Sequence, residues 1–265
     1  MLQVLKTEWM KVRSYRTFWI LTALCFVGMV GLNYIVWDFP VKVNGNADKA
    51  QTQALLGHPY SYPNVWETTS WLSGWLLFLP GLLVIMLITN EYTYRTHRQN
   101  VIDGWPRVAF INAKLLWVVS LAVLCTLASA LSAVIFGALG DAPFSTSGME
   151  YVFYFFLETL SYLMMALLFG VLFRRSGLAI ALYFVYILLL KFLLAGLIDW
   201  MTHGRAGDFV PLRVTDELLP LPVFRDLAKR PNREPLPVAA LLSATAVYLG
   251  IFYAWMLYKF RNDNL

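Results

Sequence analysis

A chain of 265 residues that is 59% hydrophobic and only 14% charged, with a mean hydropathy of +0.59, lies far from soluble globular proteins, where charged residues make up about 25%. That composition excludes a disordered chain and a water-soluble enzyme, and it describes an integral membrane protein. The net charge of +5 implies no nucleic-acid partner, because the basic residues cluster beside apolar runs, as orientation signals do at a membrane face.

Ahead of the first apolar run, Leu2, Leu5, Trp9 and Val12 recur at helical steps among Lys6, Lys11, Arg13 and Arg16. Residues 1–16 therefore read as an amphipathic helix lying in the headgroup layer, either a plain anchor or a lever against a partner. A bilayer core of about 30 Å needs roughly 20 apolar residues per helix. Six runs qualify: Thr17–Trp37, Thr69–Thr89, Lys114–Leu139, Tyr151–Phe173, Gly177–Asp199 and Leu236–Tyr258. The first is longer than the 7–15 residues, roughly, of a cleaved signal peptide, and five more follow it. Cys25 and Cys125 fall inside such runs, where a thiol acts as a small hydrophobe and builds neither a disulfide framework nor a metal site.

Tyr60, Tyr62, Trp66 and Trp71, just before the second run, read as an aromatic belt. Pro80-Gly81 at the midpoint of that run predicts a kink, either static or a hinge. From Asn90 to Arg107 the chain is polar, helical at its start and broken at Asp103-Gly104 and Pro106, so it projects from the membrane. In the third run Ser129, Ala133 and Gly137 form a small-residue stripe for close helix packing, within the chain or across a dimer. Glu158 and Lys191, in the fourth and fifth runs, lie at similar depths roughly 10 Å from the outer edge of the core at ~1.5 Å rise per residue. A salt bridge between them is expected; the alternative is that they line a polar path or meet a substrate headgroup. Arg174-Arg175 reads as flanking charge or a second small contact. In the loop from Trp200 to Pro235, the Asp216 to Lys229 stretch sets Leu218, Leu219, Leu221, Val223, Phe224 and Leu227 beside charges and predicts short helices on the outer leaflet.

An even span count puts both termini on one side, together with Lys6, Lys11, Arg13, Arg16, Arg95, Arg98, Arg107, Lys114, Arg174, Arg175, Lys259 and Arg261. The positive-inside rule makes that side the cytoplasm of a cell (inner) membrane, although the basic residues of the Trp200 to Pro235 loop weaken the contrast.

The loop after the second run resembles the cytoplasmic loop of ATP-binding-cassette type-2 (ABC-2) permeases. That loop begins with Glu at the end of span two, carries Gly-Thr four and five residues on, Arg at seven, and a Ser-Arg ending at sixteen. Glu91, Thr96, Arg98 and Arg107 fall at the Glu, Thr and two Arg positions, whereas Arg95 replaces the Gly and Pro106 the Ser. The layout of the whole chain is also similar. The resemblance implies an all-α, ABC-2 (type V exporter-like) transmembrane domain over residues 1–265, with six membrane helices. It places an elbow helix at 1–16, a coupling loop at 90–110 and an external loop with short helices at 200–235.

It further implies that residues from about Thr96 to Trp105 dock in a cleft of a separate nucleotide-binding subunit. Arg95, Arg98 and Arg107 suit carboxylates, Gln99 and Asn100 hydrogen bonds, and Val101, Ile102 and Trp105 apolar anchoring. A solvated basic loop is the alternative. No lysine sits in a Gly-Lys-Ser/Thr turn, so ATP and Mg would be held by the partner and no cofactor or metal by this chain. The implied partners are an ABC-type ATPase, a second copy or paralogue of the permease, and membrane lipids.

The expected function is thus the non-catalytic permease subunit of an exporter whose cargo is unidentified, with a leaning to lipidic or amphipathic molecules. An intramembrane enzyme would need paired acids, bases or metal ligands, yet His58, His97 and His203 all fall in loops and the spans hold the single interior carboxylate Glu158. A stand-alone secondary transporter would show discontinuous helices in related positions, and only the second run is visibly broken.

Overall fold

The structure is a computed structural model that describes residues 9–10, 12–43, 59–94, 107–140, 142–220 and 236–262. Among them all regular structure is helical: α1 (Arg16–Val43), α2 (Val65–Gly74), α3 (Phe78–Thr93), α4 (Arg107–Ala138), α5 (Glu150–Phe173) and α6 (Ser176–Val185). A π-turn (Tyr186–Leu190) leads into α7 (Lys191–Thr202), followed by a 3-10 turn (Ala206–Phe209), α8 (Arg213–Asp216) and α9 (Val238–Asn262). Five helical stretches are long and apolar enough to cross a membrane, α6 to α7 counting as one, or six if the bent pair α2/α3 is a single span.

Each expected run lies on these helices, with shifted ends. α1 continues to Val43, and α4 starts at Arg107, directly after Pro106, so a residue expected at the end of the loop is the first residue of a helix. The expected elbow at 1–16 falls mostly outside the described residues; within it, Val12 is buried and Trp9 stacks on Trp117 of α4 with ring centroids 5.8 Å apart.

With α2/α3 taken as one span, the segments alternate in direction, so α1, α4 and α6 start, and α3, α5 and α9 finish, at the end that carries the chain termini. α5 is the hub. It packs against α2, α3, α4, α6, α8 and α9, and 72% of its apolar window is buried, against 17% for α1 and for α9. The peripheral helices present Ile20, Leu24 and Val27, Leu127 and Leu131, and Val247 and Ile251 outward, the apolar surface that lipid covers in a multi-pass protein.

The small-residue stripe of α4 is used within the chain. Ser129 and Ala133 are buried, and Gly137 lies under the Tyr62 ring ahead of α2. The expected aromatic belt is largely absent, because Tyr60, Tyr62 and Trp66 are buried with Ala133 and Phe136. Two of the three polar tips are satisfied inside: Tyr60 OH donates to Asn33 O at 2.9 Å and Trp66 Nε1 to Ser145 O at 2.9 Å.

Between α2 and α3 the chain bends by 44°. Pro80 has no N–H to donate to Leu76 O, so Leu79 N donates there instead at 3.0 Å. Trp75, Leu76 and Leu77 likewise bond three residues back, a tightened stretch that separates the two helices. Pro80 thus sits in the first turn of α3, where an N–H lacks an intrahelical partner anyway. The break lies upstream of the expected Pro80-Gly81 position, at residues 75–77. Gly81 has a packing role, since the Tyr183 phenol of α6 occupies the place of its absent side chain.

Candidate functional site

Two groups of charged residues stand out, one at each end of the bundle. At the terminal end, Glu91 in the last turn of α3 forms a buried ion pair with Lys114 on α4. Lys114 also lies over the Phe110 ring, 5.4 Å from its centroid. This pair bridges the two helices that flank residues 95–106, so it closes the base of that loop. Other contacts gather around the same base. Arg174, held in the left-handed region (φ 54°) at the turn after α5, lies 5.5 Å from the Tyr92 ring centre. Phe110 stacks on Phe260 at 4.8 Å, and Tyr253 OH hydrogen-bonds Asn112 Oδ1 at 2.8 Å, which binds α9 to α4. A cavity of about 360 Å³ opens beside the ion pair, lined by Tyr15, Asn90, Tyr94 and Trp117 among apolar side chains.

The remaining residues expected to meet a partner, Arg95, Thr96, Arg98, Gln99, Val101, Ile102 and Trp105, lie outside the described residues, as does the side chain of Arg107.

In the far half of the bundle, Lys191 is buried at the first position of α7. Its backbone N–H donates to Tyr186 O, five residues back, which is the π-turn itself. The Lys191 ammonium donates to Asp216 Oδ2 at 2.7 Å and to Tyr162 OH at 2.5 Å, while Tyr162 OH donates to Asp216 Oδ1 at 2.9 Å. The expected salt bridge between Lys191 and Glu158 is therefore replaced by one to Asp216. Glu158 is 6% exposed, and its Oε2 is buried with no hydrogen-bond partner within the chain. Asp216 wins because the loop after α7 folds back over the bundle and delivers a carboxylate beside Tyr162, one helical turn from Glu158.

That fold-back is held at several points. Gly207 N donates to Asp199 Oδ1 at 2.8 Å, Tyr186 OH to Pro211 O at 2.9 Å, and Tyr248 OH to Phe209 O at 2.7 Å. Arg213 pairs with Glu217 at 2.7 Å, and Arg205 with the buried Asp208 at 2.9 Å. Burial pushes the Glu217 carboxyl up from its ordinary value despite the Arg213 beside it. Residues 203–219 thus form a cap seated on α5, α7 and α9; most of the Asp216 to Lys229 stretch expected to form short helices falls in residues 221–235, which lie outside the described part.

Asp216 and Tyr162 are the residues that sequence reasoning missed. Tyr162, four residues after Glu158, was the available signal, since an amphipathic phenol on the same face of α5 marks a polar position within a span.

The profile of the ABC-2 family transporter proteins matches residues 4–190, well over half of the chain. The chain belongs to the ABC-2 transporter family. No curated protein matches it. An ABC-2 membrane protein is a multi-pass component of membrane transport, in keeping with the stacked apolar helices. The matched region includes the Glu91–Lys114 pair and Glu158 and ends just before Lys191, so the cap lies beyond it.

Proposed function

We propose that this ABC-2 protein is the permease subunit of an ATP-binding-cassette exporter, driven by a separate ATPase subunit that binds the loop between α3 and α4. The observation that carries the proposal is the family match across residues 4–190, which contains that loop. In this reading the domain has six spans, α2/α3 forming one, and an amphipathic elbow ahead of α1. Both termini and the 95–106 loop face the cytoplasm from the inner membrane. ATP and Mg are bound by the partner, and a second copy or a paralogue of this chain completes the pathway.

The base of the loop supports the mechanism. Residues 95–106 join α3 to α4 in sequence, and Glu91–Lys114 makes the ends of those two helices move together. A buried pair of this kind is costly to break, at about 3–5 kcal/mol for loss of one partner, so the base is stiff where force arrives. Arg174 on Tyr92 extends that stiffness to the turn between α5 and α6. The largely apolar interior suits a lipidic or amphipathic cargo.

The two interrupted spans, at residues 75–77 and at the π-turn 186–190, favour a second reading as a stand-alone secondary transporter. One experiment separates the two. The chain is purified from its native membrane with any ATP-binding-cassette ATPase that accompanies it, and the variant Arg98→Ala/Val101→Ala/Ile102→Ala is purified in parallel. Co-purification that is lost in the variant, with the variant's thermal unfolding unchanged, supports coupling at this loop. An ATPase retained by the variant removes the loop from the coupling path, and transport of cargo by the chain alone in vesicles favours the secondary transporter.

A further inference from the structure

Around Glu158 the distribution of charge is unbalanced. Two carboxylates, Glu158 and Asp216, share one cation, Lys191, and the ammonium of Lys191 is already engaged by Asp216 and by Tyr162 OH. The other carboxyl, Glu158, has an Oε2 with no hydrogen-bond partner within the chain.

The surroundings of that carboxylate are electronegative. Gly74, the last residue of α2, faces it so closely that a Cβ there would stand 3.1 Å from both Glu158 oxygens. On the same short helix the hydroxyls of Ser70 and Ser73 are buried with no hydrogen-bond partner within the chain. Ser70 lies one turn from Gly74 on the same face, about 5–6 Å away at the Cβ positions. Both irregular stretches border the cluster: the 75–77 break follows Gly74, and the π-turn ends at Lys191.

A buried carboxyl oxygen without a partner, facing a helix that carries two unused hydroxyls, can exchange its proton for a positively charged group. We propose that Glu158, with Ser70 and Ser73, forms a binding site for a small monovalent cation, either an inorganic ion or a primary ammonium group on the cargo. Glu158 supplies the charge on releasing its proton, the hydroxyls turn their oxygens toward the ion, and Gly74 lets the carboxyl lie against the α2 backbone. The cap of residues 203–219, tied to Lys191 through Asp216, covers the site, and the breaks in the two spans give it a way to open. The site stands on the interior geometry and does not depend on coupling at the 95–106 loop.

The test is thermal unfolding of the full purified chain in detergent micelles, at fixed pH and ionic strength, in chloride salts of sodium, potassium, methylammonium and N-methyl-D-glucamine. Binding raises the midpoint by about 3 °C for each tenfold increase in a cation above its Kd, and the bulky glucamine ion gives no rise. A rise with sodium or potassium identifies an inorganic ion, and a rise with methylammonium alone identifies an ammonium group. Glu158→Gln and Gly74→Ala are expected to lose the rise, and the exposed Glu150→Gln to keep it. Equal midpoints in all four salts overturn the proposal, as does a rise that persists in Glu158→Gln or a midpoint that follows pH alone. If Glu158→Gln fails to fold, the salt series on the unsubstituted chain still decides.

Discussion

Lys191→Met isolates the interaction that holds the cap to the bundle. The methionine keeps the length of the side chain and removes the charge. It leaves Asp216 without its ion pair at 2.7 Å and Tyr162 OH without its contact at 2.5 Å. Loss of one partner from a fully buried pair costs about 3–5 kcal/mol. The Asp216 side chain keeps 20% of its surface exposed, so water recovers part of that loss and the lower limit applies, about 3 kcal/mol. In a chain of this size that is a fall in midpoint of about 6–10 °C. Asp216→Asn keeps an oxygen facing the ammonium and should cost less, about 1–2 kcal/mol. Glu158→Gln removes no hydrogen bond within the chain and should change stability by under about 1 kcal/mol in glucamine chloride. The assay is a pair of double-mutant cycles by denaturant or thermal unfolding in micelles. Lys191 and Asp216 should show a coupling of about 1.5 kcal/mol, while Lys191 and Glu158 should add to within about 0.5 kcal/mol. Equal coupling in the two cycles, or additivity of Lys191→Met with Asp216→Asn, would show that the pairing drawn here is wrong.

Gly81→Ala places a methyl group against the Tyr183 phenol and should cost about 1–3 kcal/mol, a loss reduced when Tyr183→Leu is combined with it. Thermal midpoints of the two variants test this, and an unaffected single variant would mean that α3 and α6 are further apart. Gly207→Ala drives a Cβ into the Ala195 carbonyl, and hydrogen exchange should rise across residues 203–219 while α5 stays protected. The raised carboxyl of Glu217 has a definite sign. Its contribution to stability is complete below the unfolded-state pKa of a glutamate and is lost as pH rises through the higher folded-state value. Exchange in the cap should therefore quicken as pH climbs above the ordinary carboxylate range, after correction for intrinsic rates, and Glu217→Gln should flatten the trend.

The helices were legible because the bilayer sets their length: about 20 apolar residues must be consecutive, and runs such as Tyr151–Phe173 satisfy that whatever the tertiary contacts. The kink was legible as a residue type and displaced as a position. Proline acts on the carbonyl four residues earlier, so Pro80 disturbs Leu76, and the bend lies at residues 75–77. The partner of Lys191 was not legible. Asp216 reaches it through a turn in which Leu212 adopts φ 66° and Gly207 packs on the Ala195 carbonyl, and no periodicity reports such a path. Tyr60, Tyr62 and Trp66 were misplaced for a different reason. Rings with one polar tip suit a headgroup layer and an interior with a carbonyl in reach equally well, and only the Asn33 and Ser145 carbonyls separate the cases.

α3 links the two ends of the protein. At one end Glu91 joins it to α4 by a buried pair; at the other it begins at the break beside Gly74, against which Glu158 rests. A rigid helix transmits an axial or tilting displacement along its length, and a break absorbs it as a change of angle. If force enters through the 95–106 loop, the first place along α3 where it becomes a change of shape is residues 75–77, at the wall of the Glu158 cluster. α5 cannot absorb the displacement instead, because it is regular throughout and packed on most of its surface. The same geometry makes the reverse effect follow: a ligand on Glu158 that favours one bend angle must alter the tilt of α3 at Glu91, and so the affinity of the loop for whatever it binds, by the same factor in both directions.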